Sequence, residues 1–416
     1  MEVDSPTAEK LHVRSCIAGG GPAGMMLGFL LARAGIDVVV LEKHADFLRD
    51  FRGDTIHPST LEVMSELGIL GEFLKRPHHR VTEARARIGN EEFVLGDFSH
   101  LSTRHLSEQC RFLALMPQWD FLDFLAQQGR RYPTFHLRMQ TEVTGLIEEN
   151  GRIAGLRTNT PAGPLEVRAD LVVGADGRNS TVRDASGLPV EDVGAGMDVL
   201  WMRLSKRADD PELFFRADHG KVLVMFDRGD YWQCAFPIPK GRAEEMQRGS
   251  IEDFRASIVE MASFLRDRVT ELRDWSDVKL LTVKVNRLRQ WYRPGLLCIG
   301  DAAHAMSPVG GVGINLAIQD AVAAANLLAR HLREGAVSAD HLAKVQRRRE
   351  FPTRLTQRVQ AWMQKLQARG LGRAGPTRLP WPLRLLERTG LPRRMRTRLV
   401  GVGIRPEHVK TPDVYK

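Results

Sequence analysis

The chain is poor in cysteine: four in 416 residues, Cys16, Cys110, Cys234 and Cys298, with no paired spacing. That excludes a disulfide framework and a thiolate metal centre, and it predicts buried free thiols in a reducing cytoplasm. No metal is expected. The chain also lacks an uninterrupted apolar run near the ~18 residues of a membrane-spanning helix. Met1 to Lys10 is polar, without the order of a secretory leader. Internal repeats and low-complexity tracts are missing, which excludes solenoid and fibrous architectures. Aromatic residues make up 7%, beside 43% hydrophobic and 27% charged, so the composition is that of an ordinary globular chain. This length can bury a large core and hold two or three domains.

An acidic balance is absent too; the formal charge is +9, unevenly placed. From His331 to Lys416 there are 20 Lys+Arg against 6 Asp+Glu, and 40 against 45 in the remainder. The basic character belongs to the C-terminal segment, including Arg347-Arg348-Arg349 and Arg393-Arg394. A solvated helical face is the plainest reading. Attraction for an anionic substrate or a nicotinamide phosphate, or weak peripheral contact with an anionic membrane, are the others. Nucleic acid is not an expected partner, since nothing resembles a nucleic-acid module.

What is present is a set of three glycine-bearing stretches. The first is Ile17-Ala18-Gly19-Gly20-Gly21-Pro22-Ala23-Gly24, after an apolar strand that begins at Val13. A helix from Pro22 to Arg33 follows, then a strand from Ile36 to Leu41 that ends at Glu42 and Lys43. Gly19 permits a tight turn, Gly21 a close approach to pyrophosphate, and Gly24 the packing of helix on strand. Pro22 and Ala23 open the helix whose N-terminus attracts phosphate. Glu42 stands where an acid accepts hydrogen bonds from ribose. Arg52, in a polar turn, is a candidate for the pyrophosphate or the ring edge. Gln118, at the start of a helix from Pro117 to Arg130, is a candidate ribose contact.

The second stretch is Gly174-Ala175-Asp176-Gly177-Arg178, with Ser180 as N-cap of the next helix. The third is Cys298-Ile299-Gly300-Asp301-Ala302-Ala303-His304, extended by Pro308, Gly310, Gly311 and Gly313 into a helix from Ile314 to Arg330. Asp176 suits a ribose and Asp301 a ribityl hydroxyl. Asn315 is a ring contact or a cap. Asp320, His57 and His304 read as structural, with a ring contact as the other reading of Asp320 and a catalytic base as that of His304.

Between these stretches the period changes. Pro58 to Lys75 reads as one helix. Asn150-Gly151 marks a hairpin between strands 142–148 and 152–158, and strands 164–168 and 170–173 complete a meander. From Met197 to Val285 short alternating runs predict an antiparallel sheet, joined by strands within Arg80–Val94. Trp201 and Arg203 share one face of a strand, and Phe226 and Gln233 lie on others; these are the candidate substrate contacts. Gly375 to Pro382 reads as a hinge.

Taken together, these motifs resemble the single-component flavoprotein aromatic hydroxylases, the family of para-hydroxybenzoate hydroxylase. Gly19, Gly21, Gly24 and Glu42 match its first motif. Asp176-Gly177 with Arg183 match the second, which in that family serves both FAD and the nicotinamide nucleotide. Gly300-Asp301 with Pro308, Gly310, Gly311, Gly313 and Asn315 match the third. The resemblance implies an α/β fold: a Rossmann-like FAD-binding domain (11–80, 110–190, 285–335) interleaved with an antiparallel-sheet substrate domain (81–109, 191–284), and a helical C-terminal segment (336–416). It implies FAD as cofactor, with NADPH or NADH as transient reductant. It also implies O2 and hydroxylation of an aromatic or polyketide-like small molecule through a flavin hydroperoxide, by a monomer or homodimer. The halogenase signature is not matched: the nearest stretch is Trp232-Gln233-Cys234-Ala235-Phe236-Pro237. A reductase or dehydrogenase of an isoprenoid or quinone, and a membrane-associated flavin-binding redox scaffold, remain as alternatives.

Overall fold

The structure is a computed structural model, and it describes residues 9–48, 55–101, 106–211, 215–335, 337–370 and 390–416. Its main sheet has Leu296–Cys298, Gly163–Gly174, Glu9–Ala18, Val38–Leu41 and Phe135–Arg138 side by side, all parallel. The last four residues of Glu9–Ala18 and all of Val38–Leu41 are buried, as strands covered on both faces must be. Helix α1 (Pro22–Arg33) is buried along ten of its twelve residues. It packs against α2 (Gln118–Gly129) and against the long helix Gly313–Glu334.

The hairpin forms as its Asn-Gly pair demands. Asn150 (φ 50°) and Gly151 (φ 75°) both take the left-handed region between strands 142–149 and 152–160. The expected break between 164–168 and 170–173 does not exist. Gly163–Gly174 is one strand, because its partner Glu9–Ala18 pairs with it almost throughout. The helix expected over 58–75 is split into Pro58–Glu66 and Leu70–Phe73 by Gly68, whose φ of 72° ends the first piece. The short helix α3 (Thr181–Ser186) is capped by Ser180, whose Oγ accepts from the Arg183 N–H.

The second sheet has seven strands: 279–281, 197–205, 231–239, 221–227, 215–218, 83–88 and 91–97. The piece at 79–81, expected in this sheet, pairs instead with 113–115 in a three-stranded sheet. Alternation sorts the seven-stranded sheet's two faces. Leu200, Met202, Leu204, Trp232, Cys234 and Phe236 pack on α4 (Ile251–Met261) through Phe254, Ile258 and Met261. Val199, Trp201, Val224, Phe226 and Ala235 face the other way. Helix α4 and a shorter helix at 243–248 lie inside a region read as all strand. Ser250 caps α4 by accepting from the Glu252 N–H, and its buried residues recur at helical spacing.

Among the described residues three helices follow towards the C-terminus: α5 (Gly313–Glu334), α6 (Ala339–Gly370) and α7 (Leu391–Gly401). The stretch Val309–Glu334 is long and apolar enough to cross a membrane, but 72% of its apolar window is buried inside the protein. The expected hinge at 375–382 lies outside the described residues. All four cysteines are free and buried, as expected, and burial raises the thiol pKa of each. No His, Cys, Asp and Glu cluster among the described residues could hold a metal ion.

Candidate functional site

The first glycine loop is shaped by contacts that leave no room for side chains. Gly19 has φ 104°, and a Cβ there would lie 2.4 Å from the Ala175 carbonyl oxygen. A Cβ on Gly24 would lie 2.0 Å from the Gly19 carbonyl oxygen, so α1 can cross the strand only here as glycine. Gly21 differs: its Cβ direction is open to 4.0 Å. It caps α1 without a side-chain hydrogen bond, and the first turn carries no acid. Glu42 closes the loop from the next strand, its carboxylate accepting from the N–H of Gly20 and of His44, each at 3.0 Å.

The second stretch meets the first directly, the Ala175 N–H donating to the Ala18 carbonyl at 2.8 Å. The Asp176 carboxylate accepts from the Ser180 hydroxyl and from the Val182 N–H at 3.1 Å. Burial pushes its pKa up against those bonds. Arg178 reaches to 3.8 Å from Asp301, so an ion pair joins the second and third stretches.

The third stretch turns at Gly300 (φ 59°), whose N–H donates to Asp320 on α5 at 3.1 Å. Asp320 is fully buried between His304 (Nε2, 2.6 Å) and Arg349 (Nε, 2.9 Å). Burial alone would raise its carboxyl pKa, but the contacts with His304 and Arg349 outweigh it and hold the pKa below the usual range. The structural readings of Asp320 and His304 agree with this geometry. His57 is buried as well: Nδ1 lies 2.6 Å from the Val400 carbonyl and the ring abuts Gly311. Burial lowers its pKa to about 4, against bonds to the Val400 and Gly311 backbone.

These loops surround one cavity of about 350 Å³. On its wall lie Gly19, Gly21, Pro22, Ala23, Glu42, Lys43, Gln118, Asp176, Asp301, Pro308, Gly311, Gly313 and Ile314. Trp201 and Phe226, stacked at 5.9 Å with an interplanar angle of 26°, cover it from the second sheet. Other expected residues stand behind the wall. Gly24 and Gly300 shape the turns. Asn315 is enclosed by protein, its Oδ1 accepting from the His57 N–H and Thr60 hydroxyl, its Nδ2 donating to the Thr55 and Gly311 carbonyls. Arg203 lies over the Tyr231 ring with a 61% exposed side chain, and Gln233 Oε1 accepts from Arg228 Nε. Neither is on the wall: Arg203 lies two residues beyond Trp201 on its strand, and no residue of 231–239 lines the cavity. Arg52 falls outside the described residues.

The donor set fits an adenine dinucleotide bearing a flavin. Gly21, Gly177 and Gly313 all line the cavity with open space where a Cβ would be, a cradle that side chains would fill. Helices α1 and α5 both lack a side-chain N-cap and a first-turn acid, and both begin on the cavity wall. Their uncapped first-turn N–H groups favour a pyrophosphate at one end and a negative ring edge at the other. Phe47, Leu281 and Met306 also line the cavity and were not foreseen. Leu281 comes from the edge strand of the other sheet, and no local pattern marks it.

Comparison with known proteins follows the same lines. The sequence model of the family described as "FAD binding domain" matches residues 12–359. A 6-methylpretetramide 4-monooxygenase from Streptomyces rimosus is 36% identical over 389 residues, 92% of this chain and 91% of that protein. A dialkyldecalin synthase from Streptomyces rugosporus is 28% identical over 322 residues, 74% of this chain and 63% of that one. Among solved structures, an anhydrotetracycline hydroxylase from Streptomyces rimosus superposes with a TM-score of 0.71 at 23% identity, covering 95% of this chain and 77% of the other.

Proposed function

The chain belongs to the FAD-binding-domain family as a flavoprotein monooxygenase, and from that premise we propose an NAD(P)H-dependent hydroxylase of polycyclic aromatic, polyketide-type substrates. One observation carries the reading: a cavity cradled by three remote glycine loops is faced by a flat aromatic pair, Trp201 and Phe226. FAD, when bound, supplies the redox chemistry by accepting reducing equivalents and activating O2. The protein's residues bind, orient and exclude water. Gly21 and the start of α1 receive the pyrophosphate. Glu42, Lys43 and Gln118 flank the adenosine side, with Arg52 assigned there from sequence. Asp301 accepts from the ribityl chain, while Pro308, Gly311, Gly313 and Ile314 with the start of α5 face the ring. Trp201, Phe226, Leu281 and Met306 offer a substrate a flat apolar wall and keep water from the reacting centre. The parallel sheet serves the cofactor and the antiparallel sheet the substrate, in a discontinuous division of 11–80, 110–190 and 285–335 against 81–109 and 191–284.

The relative named for a pretetramide supports a multi-ring phenolic substrate. A reductase is less well supported, since this same relative is named as a monooxygenase. The test is to purify the yellow protein and follow NADPH or NADH oxidation, O2 uptake and H2O2 with a panel of polycyclic phenols. A compound that speeds reductant use and gains one oxygen atom supports the proposal. Reductant use without O2 uptake would overturn it. The basic C-terminal segment supports a subsidiary proposal of weak contact with anionic lipid. Helix α7 exposes Leu391 and Met395 (56% and 65%) among Arg393, Arg394 and Arg398. Co-sedimentation with anionic but not neutral vesicles tests it, and failure to sediment with either would refute it.

A further inference from the structure

From Gln346 onward, helix α6 has an inverted pattern: the stripe it turns inward is mostly polar. Gln346, Arg349, Thr353, Gln357, Gln360 and Gln364 recur every three or four residues on one face, and each is at most 9% exposed. Burying amides in such a row costs free energy unless each is bonded, and apolar residues would cover a core more simply. The bonds reveal what the stripe holds. Gln357 Nε2 donates to the Ala305 carbonyl at 3.2 Å and to the Asn286 carbonyl at 2.9 Å. Gln360 Nε2 donates to the carbonyls of Ser307 (2.9 Å) and Val309 (2.7 Å), and its Oε1 accepts from the Ser307 N–H at 3.3 Å. Gln364 Nε2 donates to the Ser307 hydroxyl at 2.7 Å.

The N–H, carbonyl and hydroxyl of Ser307 are thus all held by one helix. This segment, 304–307, has no regular secondary structure of its own. Met306, Ser307 and Pro308 line the cavity, so α6 sets where its wall stands. None of the three glutamines is on the wall. Gln346, two turns or more toward the N-terminus, instead bonds Trp291 N–H and the Arg289 carbonyl, away from the cavity.

We propose that Gln357, Gln360 and Gln364 are positioning residues for oxygenation: they fix the 305–309 backbone against the flavin edge and keep water from it. This rests on the flavoprotein reading above. Ser307 is the point at which the device acts, since it alone meets two of the three glutamines. Loosening it admits water to the reacting centre without removing the cradle that retains the flavin, which is built from Gly21, Gly313 and Asp301.

The test compares Gln360→Leu and Gln364→Leu holoproteins with Gln346→Leu, a control on the same stripe. Three quantities are read: FAD retained per chain, hydrogen exchange of the 303–311 peptide, and the rate at which dithionite-reduced protein regains oxidised-flavin absorbance on mixing with air-saturated buffer. The first two variants should keep their FAD, exchange the loop faster and reoxidise faster, about tenfold for Gln364→Leu with its one bond lost and more for Gln360→Leu. Gln346→Leu should lower the melting temperature and leave the loop and the reoxidation rate alone. Should Gln364→Leu fail to fold, Ser307→Ala removes the same bond from the loop's side at little change in volume; should Gln360→Leu fail, Gln364→Leu and Ser307→Ala carry the test. The proposal is overturned if all these variants behave like Gln346→Leu, or if FAD is lost in step with the faster reoxidation. A wild-type protein that purifies without flavin would instead sink the underlying reading.

Discussion

Asp301 and His57 show how differently two polar residues near one cavity are used. Asp301 has a partly exposed side chain, lies on the cavity wall and has one loose ion pair with Arg178. Its replacement by Ala should leave the fold intact and weaken FAD binding about tenfold to a hundredfold, the worth of a hydrogen bond to a charged acceptor. Absorbance at flavin wavelengths after gel filtration checks this; full colour in Asp301→Ala would refute the assignment. His57 is buried and neutral, with a pKa near 4. Its unfolded counterpart, near 6.5, takes up a proton first as pH falls. The His57 contribution is therefore intact above about pH 6.5 and is lost on the way down to about 4. Between pH 7.5 and pH 5 this should cost about 2 kcal/mol, and His57→Gln should remove that part of the pH dependence. Melting curves of both proteins at the two pH values decide it.

Elements explain which readings of the sequence succeed. Glycines whose reasons are local are legible, and they are not equivalent. Gly24→Ala should cost about 3 kcal/mol, because its Cβ would meet backbone at 2.0 Å. Gly68→Ala, with φ 72° and nothing within 4 Å, should cost only about 1 kcal/mol of left-handed strain. Urea midpoints separate the two; equal losses would mean that the α1 crossing is less tight than its geometry. Asn150-Gly151 and the Ser180 cap were legible for the same reason, since turn and cap chemistry act over a few residues. Helix α4 carried its own signal in Ser250 and the spacing of Phe254, Ile258 and Met261, but strand-like neighbours on both sides obscured it. The split at Gly68 was also written in the chain as a glycine inside an apolar period. By contrast, no local pattern places Leu281 on the cavity or excludes Gln233 from it. Strand ends and sheet edges decide that. Nothing local marks the glutamines of α6 either, because their partners are backbone carbonyls some fifty or seventy residues away.

At the scale of the whole molecule, the C-terminal residues act as a tie. Glu407 is buried and pairs with Arg348 at 2.8 Å and with the buried Arg349 at 3.7 Å, while Asp413 meets Arg33 and the Tyr132 hydroxyl. The Val414 N–H donates to the Arg33 carbonyl at the end of α1. Removing residues 405–416 would leave Arg349 with a buried charge half compensated, and should lower the melting temperature by about 10 °C. Calorimetry of the shortened holoprotein checks this, and an unchanged transition would refute the tie. The strand order of the main sheet carries a further consequence. Its middle strand, Glu9–Ala18, stands beside Gly163–Gly174, which in turn waits for Leu296–Cys298. A ribosome must therefore emit about three quarters of the polypeptide before the last neighbour arrives, and such distant pairing slows folding. Until then the nascent protein can have no complete berth for its prosthetic group, so pigment uptake during synthesis belongs to its final stage.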